Sequence, residues 1–495
     1  MKQIFFGDKR LLPTGVHFLN CIKDKCSIVL RKIAPTRNAE LNFGRFLNNK
    51  RVSVSTLKNV FMDTLSGLKT VSQGRHILLV EDSSEFSFGL EPHKTGLAQV
   101  GNGKELGFYL HPVLALDAAD GGCLGIAEAE IYLRKPAEPA EPAESAESAE
   151  SAESAESAQS IPLTKSALKA AAKVAAKVRH KTRQKLPFAV KESYRWLSSI
   201  ESALKRTPDA ARHTVIADRE GDIYEALSGF TDLSCDFVVR CQYLDRTLNQ
   251  TRSGYSLADA LANLTIAGSY AVNLPPTDKR SAHEALLDVK FGVVLLARPQ
   301  SGLVKHLPKH LKVNVVQVSE RPESVVNKEE PISWVLLTSH NIENLDQARE
   351  IIRFYRWRWV IEQVFRTLKS QGLDMEQSEI ETYDRLAKLA ILALIAAVQI
   401  MQLVQAREGQ TQQPIESVFT PEQVVVLEKL NPTLEGRTEK LKNPHKKNTL
   451  AFAAWIIARL GGWSGYQKQR PPGPITMKNG LIRFQAMVQG FYIRI

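Results

Sequence analysis

The clearest hydrophobic pattern in the chain lies in "FYRWRWVIEQVFRTLKSQ", Phe354 to Gln371. On a helix at about 100° per residue, Trp357, Val360, Ile361, Val364 and Leu368 gather on one face. Tyr355, Arg358, Glu362, Arg366 and Lys369 form a stripe roughly 80° wide on the other. The segment is therefore a helix anchored by apolar residues that presents a line of cations around one carboxylate. Two uses fit that line: a solvated surface with Arg358 and Glu362 as an i,i+4 pair, worth about 0.2–0.5 kcal/mol, or a track for an anion. This helix alone does not separate them.

The same patterning divides the rest of the chain. Residues 1–75 carry helical periodicity, with Asn and Ser as caps in "FGRFLNNKRVSVSTLKNVFMDTL". "RHILLVEDSSEFSF" reads as a buried strand ending at Glu81 and Asp82, and "LGFYLHPVLALDA" and "GGCLGIAEAEIYLR" as two more strands joined by the turn "ADGG". Three strands in succession predict an antiparallel meander. A helix over "KESYRWLSSIESALKR" leads to a strand ending at Asp218, a helix from about Ile223 and the strand "DFVVRC". Residues 241–333 read as mostly β, through "YAVNL", "ALLDVKFGVVLLA" and "KVNVVQV". The strand "ISWVLLTS" follows, then the helix containing the cationic line, with Asn344 as its N-cap. Beyond about Asp384 the chain reads as helical, including the charged "EGRTEKLKNPHKKN" and the apolar "FAAWIIARLGGW".

At 495 residues, two or three domains are expected. The formal charge is +12, and the segment Pro136–Ser160 hides part of the basic character: it has seven glutamates and no Lys or Arg, so the remainder carries +19. Such an excess favours a polyanion, nucleic acid first. The three-residue repeat in that segment matches no helix face and can form no core. The run after it sets Lys165, Lys169, Lys173, Lys177, Lys181 and Lys185 four residues apart, either to meet phosphates or as a basic tether that offsets the repeat. Five cysteines in so long a chain make no disulfide framework, and they read as reduced, mostly buried thiols. "MKQIFFGDKRLLP" lacks the pattern of a signal peptide, and "LAILALIAAV" (Leu389–Val398) is too short to span a bilayer, so the expectation is a cytoplasmic protein with no membrane partner.

Asp82 and Asp218 at strand ends and Glu362 on a later helix are the residue types that a two-metal phosphoryl-transfer site needs. Hard cations such as Mg²⁺ take carboxylate oxygens, and two of them about 3.5–4 Å apart can serve an in-line displacement. The order β-β-β-α-β-α, with acids on the first strand, the fourth strand and the last helix, predicts an α/β ribonuclease-H-like core: a mixed sheet flanked by helices.

"VEDSS", "IADREGDIY" and above all Tyr355-x2-Arg358-x3-Glu362-x6-Lys369 resemble the DDE transposases of the bacterial insertion-sequence-four family. The likeness runs from "FGDKR" near residue 7 to "WIIARLGGW", and is nearest to the cut-and-paste subgroup that works through a DNA hairpin. It implies Asp82, Asp218 and Glu362 as catalytic metal ligands for two Mg²⁺ ions, with Mn²⁺ able to substitute. It implies phosphate contacts at Tyr355, Arg358 and Lys369, and at Trp334 a tryptophan that stacks on a flipped base. Arg240, Arg366 and Asp222 are assigned to the site or the DNA path, and Glu81, Glu85 and Glu220 to supporting or surface roles. The partners implied are double-stranded DNA, as terminal inverted repeats and as target, and a second copy of the chain in a synaptic homodimer associated with the bacterial nucleoid. The alternative is a catalytically inactive, transposase-derived DNA-binding inhibitor.

The expected organisation is a helical DNA-binding region at 1–70 and a first part of the core at 71–240, interrupted by the repeat at 136–160 and the basic segment at 161–186. A β-rich insertion at 241–333, the last part of the core at 334–384 and a helical dimerisation domain at 385–495 follow. The chain begins later than the family pattern, so part of the N-terminal end-recognition domain is expected to be missing.

Overall fold

The computed structural model of the chain describes residues 5–90, 93–134, 186–248, 254–274, 276, 280–327, 329–466 and 469–493. The acidic repeat and the lysine run lie outside the described residues.

The apolar runs become strands buried on both faces. In β1 (His76–Glu81), Leu78 and Val80 enter one core while Ile77 and Leu79 enter the other. β6 (Arg212–Ala217) and β7 (Asp236–Arg240) divide in the same way, with Ile216 and Val238 on one face and Val215, Ala217, Phe237 and Val239 on the other. Strands covered on both sides read as unbroken apolar runs, which explains the pattern in the sequence. β4 (Glu105–Asp117) pairs antiparallel with β1 and with β5 (Cys123–Tyr132), giving the predicted meander, while β6 and β7 run parallel to β1. The spatial order β5-β4-β1-β6-β7 is the mixed sheet of a ribonuclease-H-like core.

The apolar run from His76 ends at Glu81, where the sequence places the end of the first strand. Its ladder to β4 stops at Glu81 opposite Val113 and resumes at Ser84 opposite Leu110, as β2 (Ser84–Ser87). The gap at Asp82 and Ser83 faces His111 and Pro112, and proline brings no N–H to a ladder. A short β3 (Ala98–Val100) also pairs with β4.

Residues 241–333 supply β8 (Gly268–Leu274), β9 (His283–Ala297) and β10 (His310–Glu320). These strands join the same sheet, because β10 pairs with β11 (Ser333–Thr338) and β11 pairs with β7.

Helices cover both faces. Trp196, Ile200 and Ala203 of α3 (Arg195–Leu204) and Phe230 of α4 (Tyr224–Asp232) fill one side. The other side takes the N-terminal helices α1 (Leu11–Lys25) and α2 (Arg37–Asn48), then α5 (Leu345–Trp357), α6 (Trp359–Lys369) and α7 (Tyr383–Ala406). α7 contains "LAILALIAAV" and is long and apolar enough to cross a membrane, but most of it is buried inside the protein. Its Leu389–Val398 stretch packs on the sheet, while Ile400, Leu403 and Ala406 enter a third core with α8 (Pro421–Leu434), α9 (Leu450–Leu460) and α10 (Pro474–Ile493). Burying each large apolar side chain contributes about 1.5–3 kcal/mol. The charged "EGRTEKLKNPHKKN" is not helical, apart from a 3-10 turn at Glu439–Leu441. It holds Gly436 and Pro444 and has almost no apolar positions with which to anchor a helix.

The N-terminal helices are fastened to the core by buried charges. Lys388 of α7 donates to the carbonyls of Leu47 (2.9 Å) and Asn49 (3.3 Å), and Glu128 of β5 takes both Lys58 and Arg206. All five cysteines are buried and free.

Candidate active site

Parallel pairing of β1 and β6 aligns the first two acids. Val80 lies opposite Ile216, and two residues further along each strand come Asp82 and Asp218. Both thus stand at the carboxyl ends of adjacent parallel strands, where open α/β sheets place their ligands. Asp82 occupies the break between β1 and β2 and is 9% exposed; its Oδ1 accepts the Ser83 N–H at 2.8 Å. Asp218 caps a 3-10 turn, Arg219–Gly221, with Oδ1 accepting the Glu220 N–H at 2.8 Å.

The third acid comes from the helix pair. Asn344 caps α5 as the sequence indicates, accepting the Gln347 N–H at 3.0 Å. The predicted single helix is tightened at Arg358, where Arg358 N–H bonds the Tyr355 carbonyl and Ile361 N–H bonds the Arg358 carbonyl, both at 3.1 Å. Trp357 fits there against the β4–β5 turn because Gly121, at φ +77°, has no side chain; a Cβ would stand 2.4 Å from the indole. Glu362 then projects from the first turn of α6.

Asp82, Asp218, Glu362, Arg366 and Lys369 line one open cavity of about 380 Å³. Arg358 reaches into the same cluster, donating Nη1 to Asp82 Oδ2 at 2.7 Å and Nη2 to Glu362 Oε1 at 3.1 Å. Burial pushes the Asp82 carboxyl up to about 7, with the charges of Asp218 and Glu362 adding to the rise and Arg358 opposing it. Lys369 lies 3.6 Å from Glu376 and 5.1 Å from the centre of the Phe86 ring. Arg366 is exposed and lies over the ring of Trp359, which is itself 52% exposed.

The cavity presents hard carboxylate oxygen donors, which suit Mg²⁺ or Mn²⁺. Among the described residues, however, no three acidic, His or Cys side chains are already gathered as a ligand set. Arg358 stands between two of the three acids, Asp82 and Glu362.

Behind Asp82 is a network that the sequence reading did not identify. His111 Nε2 lies 3.2 Å from Glu81 Oε2, and its Nδ1 lies 2.8 Å from Ser83 Oγ. Burial pushes Glu81 well above the usual carboxylate range and His111 down to about 3, so the imidazole is neutral at pH 7. Asp222 is a brace and not part of the site: it is buried, 2.6 Å from Arg246, and accepts the Gln242 N–H at 2.8 Å.

The remaining residues assigned to DNA lie in a second pocket. Trp334 and Arg240 line a space of about 510 Å³ together with Arg219, Arg280, Arg356 and Tyr270. Tyr355, placed on the exposed stripe by the sequence, is buried at 6% exposure between the two pockets. Its ring meets Trp334 edge-on at 5.5 Å and the Arg358 guanidinium at 5.9 Å. The Arg358 junction lets α5 turn Tyr355 inward while Glu362 faces the cavity. Arg219 follows Asp218 in "DRE" and could have been read from the sequence; Arg280, Arg356 and Tyr270 carry no local signal.

Residues 195–399 match the family model described as the transposase DDE domain. The match contains Asp218, Trp334, Tyr355, Arg358, Glu362 and Lys369, while Asp82 precedes it. With the mixed sheet, it supports a DDE transposase: a nuclease-type enzyme that acts on DNA, of a family that generally uses divalent metals.

Proposed function

We propose that the protein is a Mg²⁺-dependent cut-and-paste transposase of the insertion-sequence-four type that works through a DNA hairpin. What supports the reading is one arrangement: Asp82, Asp218 and Glu362 line a single cavity, Lys369 and Arg366 stand beside them, and an arginine-lined pocket holding Trp334 lies beyond Tyr355. Two metal ions, when bound, would supply charge neutralisation and an activated oxygen for in-line displacement. The three carboxylates would hold them and act neither as nucleophiles nor as points of covalent attachment. Lys369 and Arg358 would fix the phosphate next to the cleaved bond, and four arginines would hold the backbone around a base stacked on Trp334. Water would break the phosphodiester at the transposon end, leaving a 3′-hydroxyl that would attack the opposite strand and close a hairpin; a second water would open the hairpin and restore the 3′-hydroxyl, which would then attack the target DNA. Two ends require two copies of the chain, and we assign their contact to α8–α10, where Val425 and Met487 are exposed.

The test is nicking of a duplex that carries an end of the element. The unmutated protein should nick with Mg²⁺, and Asp82→Ala and Glu362→Ala should not, while their binding stays within about three-fold of normal. Binding without nicking by the unmutated protein would replace this reading with that of an inactive inhibitor.

A further inference from the structure

The acidic cavity already contains a cation, and the chain itself provides it. The guanidinium of Arg358 spans Asp82 Oδ2 and Glu362 Oε1, so two of the three acids are committed to a planar fork that suits carboxylate oxygens. The pairing is sheltered, with the Arg358 and Asp82 side chains 12% and 13% exposed. A second observation agrees with it: among the described residues no three-acid ligand set is preassembled, although Asp82, Asp218 and Glu362 share one cavity.

We propose that Arg358 is an exchangeable internal counter-ion: a divalent cation must displace it from Asp82 and Glu362, and the displaced guanidinium is the group delivered to the DNA phosphate. The inference rests on the metal-dependent reading above. Its physical basis is competition. Carboxylates brought together in a half-buried site need a positive charge beside them, and removing that charge without replacement is costly. A dication takes over the role and repels the guanidinium. The face of Tyr355, 5.9 Å from the guanidinium, is the near surface that can receive it. A phosphate is the next acceptor that matches the fork. Metal and DNA thus bind cooperatively, and in the absence of metal the phosphate contact stays occupied by the protein's own acids.

The experiment measures Mn²⁺ binding to the full chain by electron paramagnetic resonance, and then the affinity for an end-bearing duplex without metal and with Ca²⁺. Arg358→Gln should bind Mn²⁺ about ten-fold more tightly than the unmutated protein, and Arg358→Lys should fall between the two. Metal should tighten duplex binding for the unmutated protein and not for Arg358→Gln. A positioning role limited to shape would not raise metal affinity. Equal or weaker Mn²⁺ binding by Arg358→Gln overturns the proposal; if that variant does not fold, Arg358→Lys decides on the same criterion. Asp218→Asn separates the two levels. If it leaves Mn²⁺ binding unchanged, the three-acid reading itself fails. If it abolishes binding while the Arg358 variants gain nothing, this inference alone fails.

Discussion

The two pockets on either side of Tyr355 are built in opposite ways. The acidic cavity takes two of its acids from the ends of adjacent parallel strands and the third from the helix that packs beside them, so regular hydrogen bonding sets their spacing. The arginine pocket draws on the 3-10 turn at Arg219, on β7, β8 and β11, on the segment before β9, and on α5. One collects negative charge that needs a cation, and the other collects positive charge around aromatic rings. Tyr355 touches both, through Arg358 on one side and Trp334 on the other. Under the proposed function, the site that would hold reacting atoms within tenths of an ångström stands on strand ends, and the one that would grip a flexible backbone is assembled from longer, more adaptable side chains.

The largest test of that division compares Asp218→Ala with Trp334→Ala. Removing the acid should lower nicking on the order of 10³-fold and leave duplex affinity measured without metal nearly unchanged. Removing the indole should cost about 1–3 kcal/mol of base stacking, seen as slower hairpin formation after a nearly normal first nick. If both variants fail at the same step, the pockets do not have separate roles.

Salt gives a smaller and cleaner contrast. Replacing Arg240, Arg280 or Arg356 by Gln should each reduce the slope of log affinity against log salt by about 1, provided that residue meets a phosphate. Asp82→Asn should leave the slope unchanged. Isotherms at several salt concentrations are sufficient to decide it.

The smallest expected effect is on pH dependence. Asp82 is raised from 3.8 in an unfolded chain to about 7, so between those values the folded protein binds more protons than the unfolded one. The stabilising contribution of the protonated form is complete below about pH 4 and is lost as pH rises through 7. Metal-free Asp82→Asn should therefore melt about 2–4 °C above the unmutated protein at pH 8, with the gap closing at pH 5. Mn²⁺ affinity should also rise with pH up to about 7, because binding needs the carboxylate. Duplex binding through the arginine pocket should be flat over the same range, since guanidinium groups do not titrate there.

Much of this architecture could be read in the polymer. Apolar runs with period-two or unbroken patterning located β1, β4, β5, β6, β7 and β11, and the stripe in α5 and α6 located Glu362, because burial on one or both faces leaves its period in the sequence. The end of β1 at Glu81 was legible, but the resumption of the ladder at Ser84 as β2 was not, since it depends on what lies opposite it in β4. Nor was the inward turn of Tyr355, which follows from three-residue hydrogen bonding at Arg358, whereas a uniform 100° helix places it outside. Glu376 and the His111–Glu81 pair were missed because nothing within a few residues of them indicates a partner from another element.

By itself the sequence determined the inventory: which segments are buried, that the described chain forms a mixed sheet covered by helices, and that cations surround one acid on a late helix. Those properties are local or periodic, so each can be read along one dimension. Only the tertiary structure decided that strand β1 lies beside β6, that β8–β10 extend the same sheet, and that a guanidinium separates Asp82 from Glu362. The pairing of β1 with β6 joins residues 136 positions apart and the Arg358–Asp82 contact residues 276 apart, and the energies of such contacts arise from desolvation and charge, which exist only once the chain has closed on itself.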